Sequence, residues 1–519
     1  MASLLLIRPP SVFSSSSYSV PITMPLSLAY LSANLLKHGH DVSNIDALGE
    51  ALEHIGVSYS PRVRYRGLST PRILERIRGK PHGLGVTAMF SQDWPHIEDM
   101  VNAIHARFPD LPIILGGEHA TAACEYVLRS CPAVSHVALG EGEETIVDWA
   151  DWLDGRKRLE DVSGIAYLAP GGSLVTNAPR ARIRNLDDAP WPAWHLFNLD
   201  PYFEAGEGHG VERGRSMPML ATRGCPYQCT FCSSPSMWTT RYEMRSVPNV
   251  VDEIEHYLHR YRAQNIDFFD LTAIIKKEWI IQFCREVRRR SLAFSWQLPS
   301  GTRAEAMDAE VLREMASSGC TNVTYAPESG STRTLKEIKK KVVLFRLFDS
   351  LRHAKRNGIF VKCNLIIGFP RETRWDMLRT VWCAVRFAMR GVDDTAIYPY
   401  SPYPGSELYG YLRKTGAIPR MDRDYFASLM TFMDLKQPSN YCENVGPTEI
   451  SVYRFAGMAL FYGLSYLLHP SRIGRTIRNY LEHRSDTVFE ERLFGLIRRR
   501  RIEKEKGRAV IAERETAIR

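Results

Sequence analysis

No segment of this 519-residue chain reaches the roughly 20 consecutive apolar residues that a membrane-spanning helix needs. The nearest candidate, Phe455 to Leu468, is too short and is bounded by Arg454 and His469. The start lacks the basic lead and small-residue cleavage site of a secretory signal, so Leu4-Leu5-Leu6-Ile7 reads as a first buried strand. Cysteine is sparse, 10 in all, and apart from one cluster the residues stand singly, which argues against a disulfide framework. Internal repeats are absent, and the only low-complexity stretch is Ser14 to Ser17. These absences predict a cytoplasmic chain with reduced thiols.

What is present is a folded, multi-domain composition. Apolar residues make up 44% of a chain longer than one hydrophobic core usually serves. The net charge of +9 is concentrated at the end, where Arg472 to Arg519 holds 14 Lys/Arg against 8 Asp/Glu, including Arg498 to Arg501. That describes a basic tail and not a nucleic-acid-binding face. Its readings are a solvated helical tail or a peripheral contact with an anionic membrane surface.

Residues 1–155 alternate short apolar runs with amphipathic helices, as in a doubly wound parallel α/β sheet. The expected strands are Leu4–Arg8, Val42–Ile45, Gly83–Ala88, Ile113–Leu115 and His136–Leu139. Ligands on such sheets bind beyond the carboxyl ends of the strands. Those ends carry Thr87 to Gln92, Gly116-Gly117-Glu118-His119 and Gly140-Glu141-Gly142-Glu143. Residues 156–215 read as a connector with a small hairpin near Ile165–Val175. Across 216–415 a second series of six βα units predicts a partial (β/α)6 barrel, with its site at the strand ends. Residues 416–519 read as a helical C-terminal region ending in the basic tail.

The segment Thr222-Arg223-Gly224-Cys225-Pro226-Tyr227-Gln228-Cys229-Thr230-Phe231-Cys232 follows the first strand of that barrel. Three thiolates on one loop can hold three irons of a cubane and leave the fourth iron open to substrate. The alternative, structural zinc, needs a fourth nearby Cys or His, and the closest downstream, His256, falls on an expected helix.

Cys-x3-Cys-x2-Cys with an aromatic before the last cysteine resembles the signature of the radical SAM superfamily. The resemblance implies a [4Fe-4S] cluster on Cys225, Cys229 and Cys232, with S-adenosylmethionine (SAM) chelating the open iron. It also implies reductive cleavage of SAM to methionine and a 5′-deoxyadenosyl radical, fed by an external flavodoxin- or ferredoxin-type electron donor. Phe231 would lie beside the adenine. Ser300, Thr302 and Arg303 after the third strand, and Glu328 and Ser329 after the fourth, would hold the ribose and the methionine end. Gly368 after the fifth would lie near the adenine. Phe269-Asp270-Leu271-Thr272 departs from the paired acidic residues that many relatives carry after the second strand.

A doubly wound domain ahead of such a barrel, with Gly-Gly and Gly-Glu-Gly at successive strand ends, resembles the Rossmann-like domain of the cobalamin-binding subclass. That resemblance implies cobalamin beside Thr87, Ser91, Gln92, Gly116, Gly117, Glu118, Gly140, Glu141 and Gly142. The Asp-x-His-x-x-Gly pattern of proteins that coordinate cobalt through histidine is missing, and His119 reads as a loop residue. The function implied is methyl transfer to an unactivated centre. The alternative is oxidative cyclisation, as in the anaerobic cyclase of magnesium-protoporphyrin ester. Methylthiotransfer would need an N-terminal cysteine trio, and only Cys124 and Cys131 are there. A cobalamin sensor would leave the cysteine cluster without a role. The aromatic Tyr398 to Pro404 segment, with Phe455–Leu468 and the tail, suggests a hydrophobic small-molecule substrate.

Overall fold

The computed structural model describes residues 1–17, 22–434, 436 and 439–497. The first sheet is built from β1 (Ser3–Arg8), β2 (Asp41–Asp46), β3 (Gly83–Thr87), β4 (Ile113–Gly116), β5 (His136–Ala138), β6 (Ile165–Leu168) and β7 (Leu174–Thr176). Its seven strands run in the order β7-β6-β5-β4-β3-β1-β2. Strands β2, β1, β3, β4 and β5 are parallel. The run Leu4 to Ile7 is buried because helices cover both faces, as parallel sheets require. The hairpin expected within the connector belongs to this sheet: β6 pairs antiparallel with β5, and β7 with β6. It thus covers an edge that β5 would otherwise leave open.

The second sheet holds six parallel strands in sequence order: β8 (Ser216–Met219), β9 (Asn265–Phe268), β10 (Ser295–Thr302), β11 (Cys320–Glu328), β12 (Phe360–Ile367) and β13 (Asp394–Pro399). The period of two is plain on β12. Val361, Cys363, Leu365 and Ile367 join the core under the helices, whereas Lys362 and Asn364 alternate with them on the inner side. Two of the intervening helices begin at clear side-chain caps. Asp308 accepts from the Val311 N–H, and Thr373 with Asp376 forms a capping box.

That box opens α1 (Arg374–Met389), on which α2 (Pro447–Leu468) lies in parallel. Arg374 pairs with Glu449 at one end, and His469 meets the Ala388 carbonyl at the other. Gly457 permits the close approach of α2 to β13, since a Cβ there would stand 2.5 Å from Ile397 Cδ1. Beyond it, α3 (Ser471–Leu481) corrects the expectation of a free tail from Arg472. Arg472 is buried, donating to the Gly391 and Val392 carbonyls beside Asp393. A buried carboxylate at the barrel base draws it in. The run Arg498–Arg501 lies outside the described residues.

The two sheets meet through their strand ends. Tyr400, Tyr425, Phe426 and Leu429 belong to the same core cluster as Ile7, Val86 and Leu115 of the first sheet. The Tyr398 to Pro404 segment is therefore packing between the halves and does not form a rim at the barrel mouth. Across the same boundary runs a buried ionic network. Glu141, after β5, accepts from Arg182 at 2.7 Å and from Arg223 at 3.2 Å, and Arg223 reaches Glu143 at 2.6 Å. Burial works against the charge on Arg223, but Glu143, Tyr30 and Glu141 outweigh it and raise its pKa. We expect Glu141→Gln, which keeps the shape and removes the charge, to lower stability by about 3 kcal/mol. The check is the urea midpoint. An unchanged midpoint would show that apolar packing alone holds the halves together.

Candidate functional site

Arg223 is two residues from Cys225, so the ionic network anchors the root of the cysteine loop. Thr222–Arg223 forms a two-residue ladder with Glu243–Met244, and Gly224 turns out of it at φ 84°. A Cβ on Gly224 would lie 2.1 Å from the Arg241 carbonyl oxygen, so only glycine fits. Asp270, at the end of β9, is buried and accepts from the Ala221 and Thr222 N–H groups and the Thr222 hydroxyl. Burial raises its pKa to about 6 against those hydrogen bonds. Its carboxylate is thus engaged with the loop root.

The three thiols are half-buried, and none is disulfide-bonded. Cys225 Sγ lies 3.6 Å from Thr272 Oγ1, and the Cys232 N–H donates to the Cys229 carbonyl. Burial pushes the Cys232 thiol up to about 12 and raises Cys229, so both are protonated until metal displaces the proton. Among the described residues no three Cys, His, Asp or Glu converge on a point that one ion would occupy. A cubane makes no such demand, because each thiolate binds a different iron. The zinc alternative has neither a focus nor a fourth ligand.

Around the loop the structure gathers most of the residues expected from strand ends. Phe231 stands 5.7 Å from Phe369, next to Gly368, whose φ is 84°. The Arg303 guanidinium stacks 3.8 Å from the Tyr227 ring and donates to the Lys341 carbonyl. Thr302 is buried with its hydroxyl unpaired. Glu328 adopts φ 68°, a strained conformation for a non-glycine residue, and pairs at 2.9 Å with buried Lys340. Ser300 lies 3.5 Å from His209. Ser329 stands apart, since its hydroxyl contacts Thr380 at 2.9 Å and accepts from the Ser331 N–H. Lys340 went unrecognised in the sequence, where Lys339-Lys340-Lys341 looks like a solvated charged run. Burial works against its charge, but Glu328 and Cys229 raise its pKa overall.

On the facing rim, Thr87 is half-buried, and Ser91 and Gln92 are buried. Gln92 Oε1, Asp93 Oδ1, Trp94 Nε1 and His119 Nε2 are buried without a hydrogen-bond partner. Burial lifts Asp93 to about 8 and lowers His119 to about 3. Unpaired donors and acceptors gathered at two neighbouring strand ends fit a guest rich in amides, as the corrin periphery is. His119 itself accepts from or donates to Ser91 at 2.9 Å and is enclosed by Trp94 and Phe426. Gly116 and Gly117 lie beside it, Gly117 at φ 121°. Glu118 accepts from Ser233 on the cysteine loop. Gly140 and Gly142 flank Glu141, whose carboxylate is spent on Arg182, Arg223 and the Ile183 N–H. Glu141, expected beside the corrin, thus has its carboxylate engaged by two guanidiniums, which makes it a link between the halves.

Comparison with known proteins divides the chain at the same place. Residues 19–150 match the B12 binding domain and residues 219–381 the radical SAM superfamily. An uncharacterised methyltransferase of Pyrococcus horikoshii is 28% identical over 434 residues, covering 83% of this chain and 88% of that protein. The anaerobic magnesium-protoporphyrin IX monomethyl ester cyclase of Rubrivivax gelatinosus is 25% identical over 463 residues, covering 88% and 77%. The solved radical SAM methyltransferase TsrM of Kitasatospora setae shares the fold, with a TM-score of 0.64 at 18% identity over 81% of this chain and 79% of that one. The chain thus carries a B12 binding domain followed by a radical SAM domain, with the cysteine loop set against the B12-binding rim, and the cofactors of that pairing are a [4Fe-4S] cluster, SAM and cobalamin.

Proposed function

We propose that this enzyme transfers a methyl group to an unactivated carbon of a small biosynthetic intermediate. The observation that carries the reading is the apposition of the two rims, which the Arg223–Glu141–Glu143 network holds in contact. Bound there, the cluster and SAM supply a 5′-deoxyadenosyl radical, and cobalamin supplies the methyl group. In this reading Cys225, Cys229 and Cys232 hold the cluster. Phe231, Gly368 and Phe369 flank the adenine. Thr302, Arg303 and the Glu328–Lys340 pair hold the ribose and the amino-acid end, with Ser300 nearby and Ser329 supporting the loop. Thr87, Ser91, Gln92, Gly116, Gly117, Glu118, Gly140 and Gly142 border the corrin.

The barrel interior bears on the substrate. Asp267 accepts from Asn265 and Gln297, both at 2.7 Å, and burial raises its pKa to about 6. His209 is solvent-accessible, yet desolvation by the surrounding protein and then the Lys362 charge lower it to about 4, and Asn364 Oδ1 has no partner. Such walls favour a substrate with polar groups over the hydrophobic one suggested by the aromatic segment. The second reading, oxidative cyclisation, is supported by the cyclase relative that aligns along most of the chain. A flavodoxin or ferredoxin is the proposed electron donor, and the basic C-terminal segment the proposed site of a peripheral membrane contact.

Three measurements test this. The Cys225→Ala, Cys229→Ala, Cys232→Ala triple variant should fold and bind cobalamin yet form no deoxyadenosine. Deoxyadenosine at the wild-type rate would end the cluster assignment. Lys340→Met should keep its cluster but weaken SAM binding roughly tenfold, about 1.4 kcal/mol, with Lys340→Arg recovering part of the loss. Equal SAM affinity in the Met variant would confine Lys340 to a structural role. With deuterated-methyl SAM under anaerobic turnover, deoxyadenosine and S-adenosylhomocysteine should accumulate in near-equal amounts with a labelled product. Deoxyadenosine without a labelled product would replace methyl transfer with cyclisation.

A further inference from the structure

Among the described residues no helix is long and apolar enough to cross a membrane. The outer side of the α1–α2 pair is nonetheless apolar along its length. On α1, Val381 approaches α2 at Gly457, while Thr380, Ala384 and Phe387 are buried. This phase leaves Trp375, Leu378 and Trp382 pointing away from the barrel, with Trp375 64% and Trp382 57% exposed. On α2, burial of Ile450, Arg454, Gly457, Phe461 and Ser465 likewise leaves Phe455, Leu460 and Leu467 outside. From Ile450 to Leu468 the only charged side chain is Arg454, and it is buried, donating to the Thr431, Phe432 and Asp434 carbonyls. The parallel register of the two helices joins these residues into one face.

The three helices themselves contribute almost no free acidic charge to that face. On α1, α2 and α3 the only acidic residues are Asp376, which is buried, and Glu449, which Arg374 occupies. Arg379 is exposed on the edge of α1, half-exposed Arg386 and exposed Arg390 just past it lie over the Phe348 ring, and Arg478 is exposed on α3. We propose that this face docks the enzyme on an anionic lipid bilayer, with Trp375 and Trp382 at the headgroup level and the arginines on lipid phosphates. Tryptophan beside arginine, over an apolar and uncharged helix side, is the composition that an interfacial helix uses. A second copy is a poor occupant, because two-fold pairing would set the arginine rows of both copies together without an acidic partner. The chain's own segment after Ile497 begins with four arginines and would meet the same repulsion.

This contact is distinct from the one proposed above for the basic C-terminal segment, so the two can be separated. Reconstituted full-length enzyme is sedimented with phosphatidylcholine vesicles with and without phosphatidylglycerol. Binding should require the anionic lipid and weaken with salt. The double variant Trp375→Ser, Trp382→Ser should lose at least about tenfold in vesicle affinity, while keeping its thermal midpoint and SAM cleavage. A chain ending at Ile497 should still bind. The proposal is overturned if full-length enzyme ignores anionic vesicles. It also falls if truncation abolishes binding while the tryptophan variant retains it, which would leave the tail as the contact. A concentration-dependent dimer that the tryptophan variant dissolves, with no vesicle binding, would assign the face to a second copy.

Discussion

Glu141 sits where two independently wound sheets must keep a fixed relation, and its carboxylate is shared by a guanidinium from each side of the boundary. Arg182 comes from the connector and Arg223 from the root of the cysteine loop, while Glu143 balances the second charge. Charges this deeply buried tolerate little displacement, because a partner lost is a charge left bare in a poor solvent. The network therefore fixes a direction as well as a distance. It turns the carboxyl ends of one set of strands toward those of the other.

Both sheets are polar at those ends for the same reason. Parallel strands leave their last residues beyond the hydrogen-bond ladder, and short loops there carry side chains that the core cannot use. In the first sheet these are Gln92, Asp93 and His119, buried with unmet hydrogen-bonding capacity. In the second they are Thr302, Arg303 and Glu328, the last in a left-handed conformation and paired with Lys340. Each rim keeps groups that a monomeric fold without ligands would have little reason to bury.

Much of this was legible from periodicity. The strands expected at Leu4–Arg8 and Gly83–Ala88 fall where β1 and β3 run, at Ser3–Arg8 and Gly83–Thr87. The cysteine loop carries a spacing that few chemistries share. What escaped was anything decided by tertiary partners. Glu141 looks like a cofactor contact because glycines flank it, but the two arginines that claim it lie 41 and 82 residues away. Lys340 is hidden in a lysine run, where sequence cannot say which of three faces inward. The Tyr398 to Pro404 segment has the composition of a ligand rim and the burial of a core, and composition does not separate the two. The hairpin after β5 was recognised as a hairpin, but its membership in the sheet depends on which edge stands open.

The core shared by the first sheet and residues near 400–430 also bears on how the chain comes to be folded. During synthesis the N-terminal half emerges long before Tyr425, Phe426 and Leu429 exist to cover Trp94 and Val86. Its apolar flank must wait through the production of the whole barrel. Pairings across such sequence separations form slowly and leave sticky surface open in the meantime. That shared core is therefore complete only once the second half has been made.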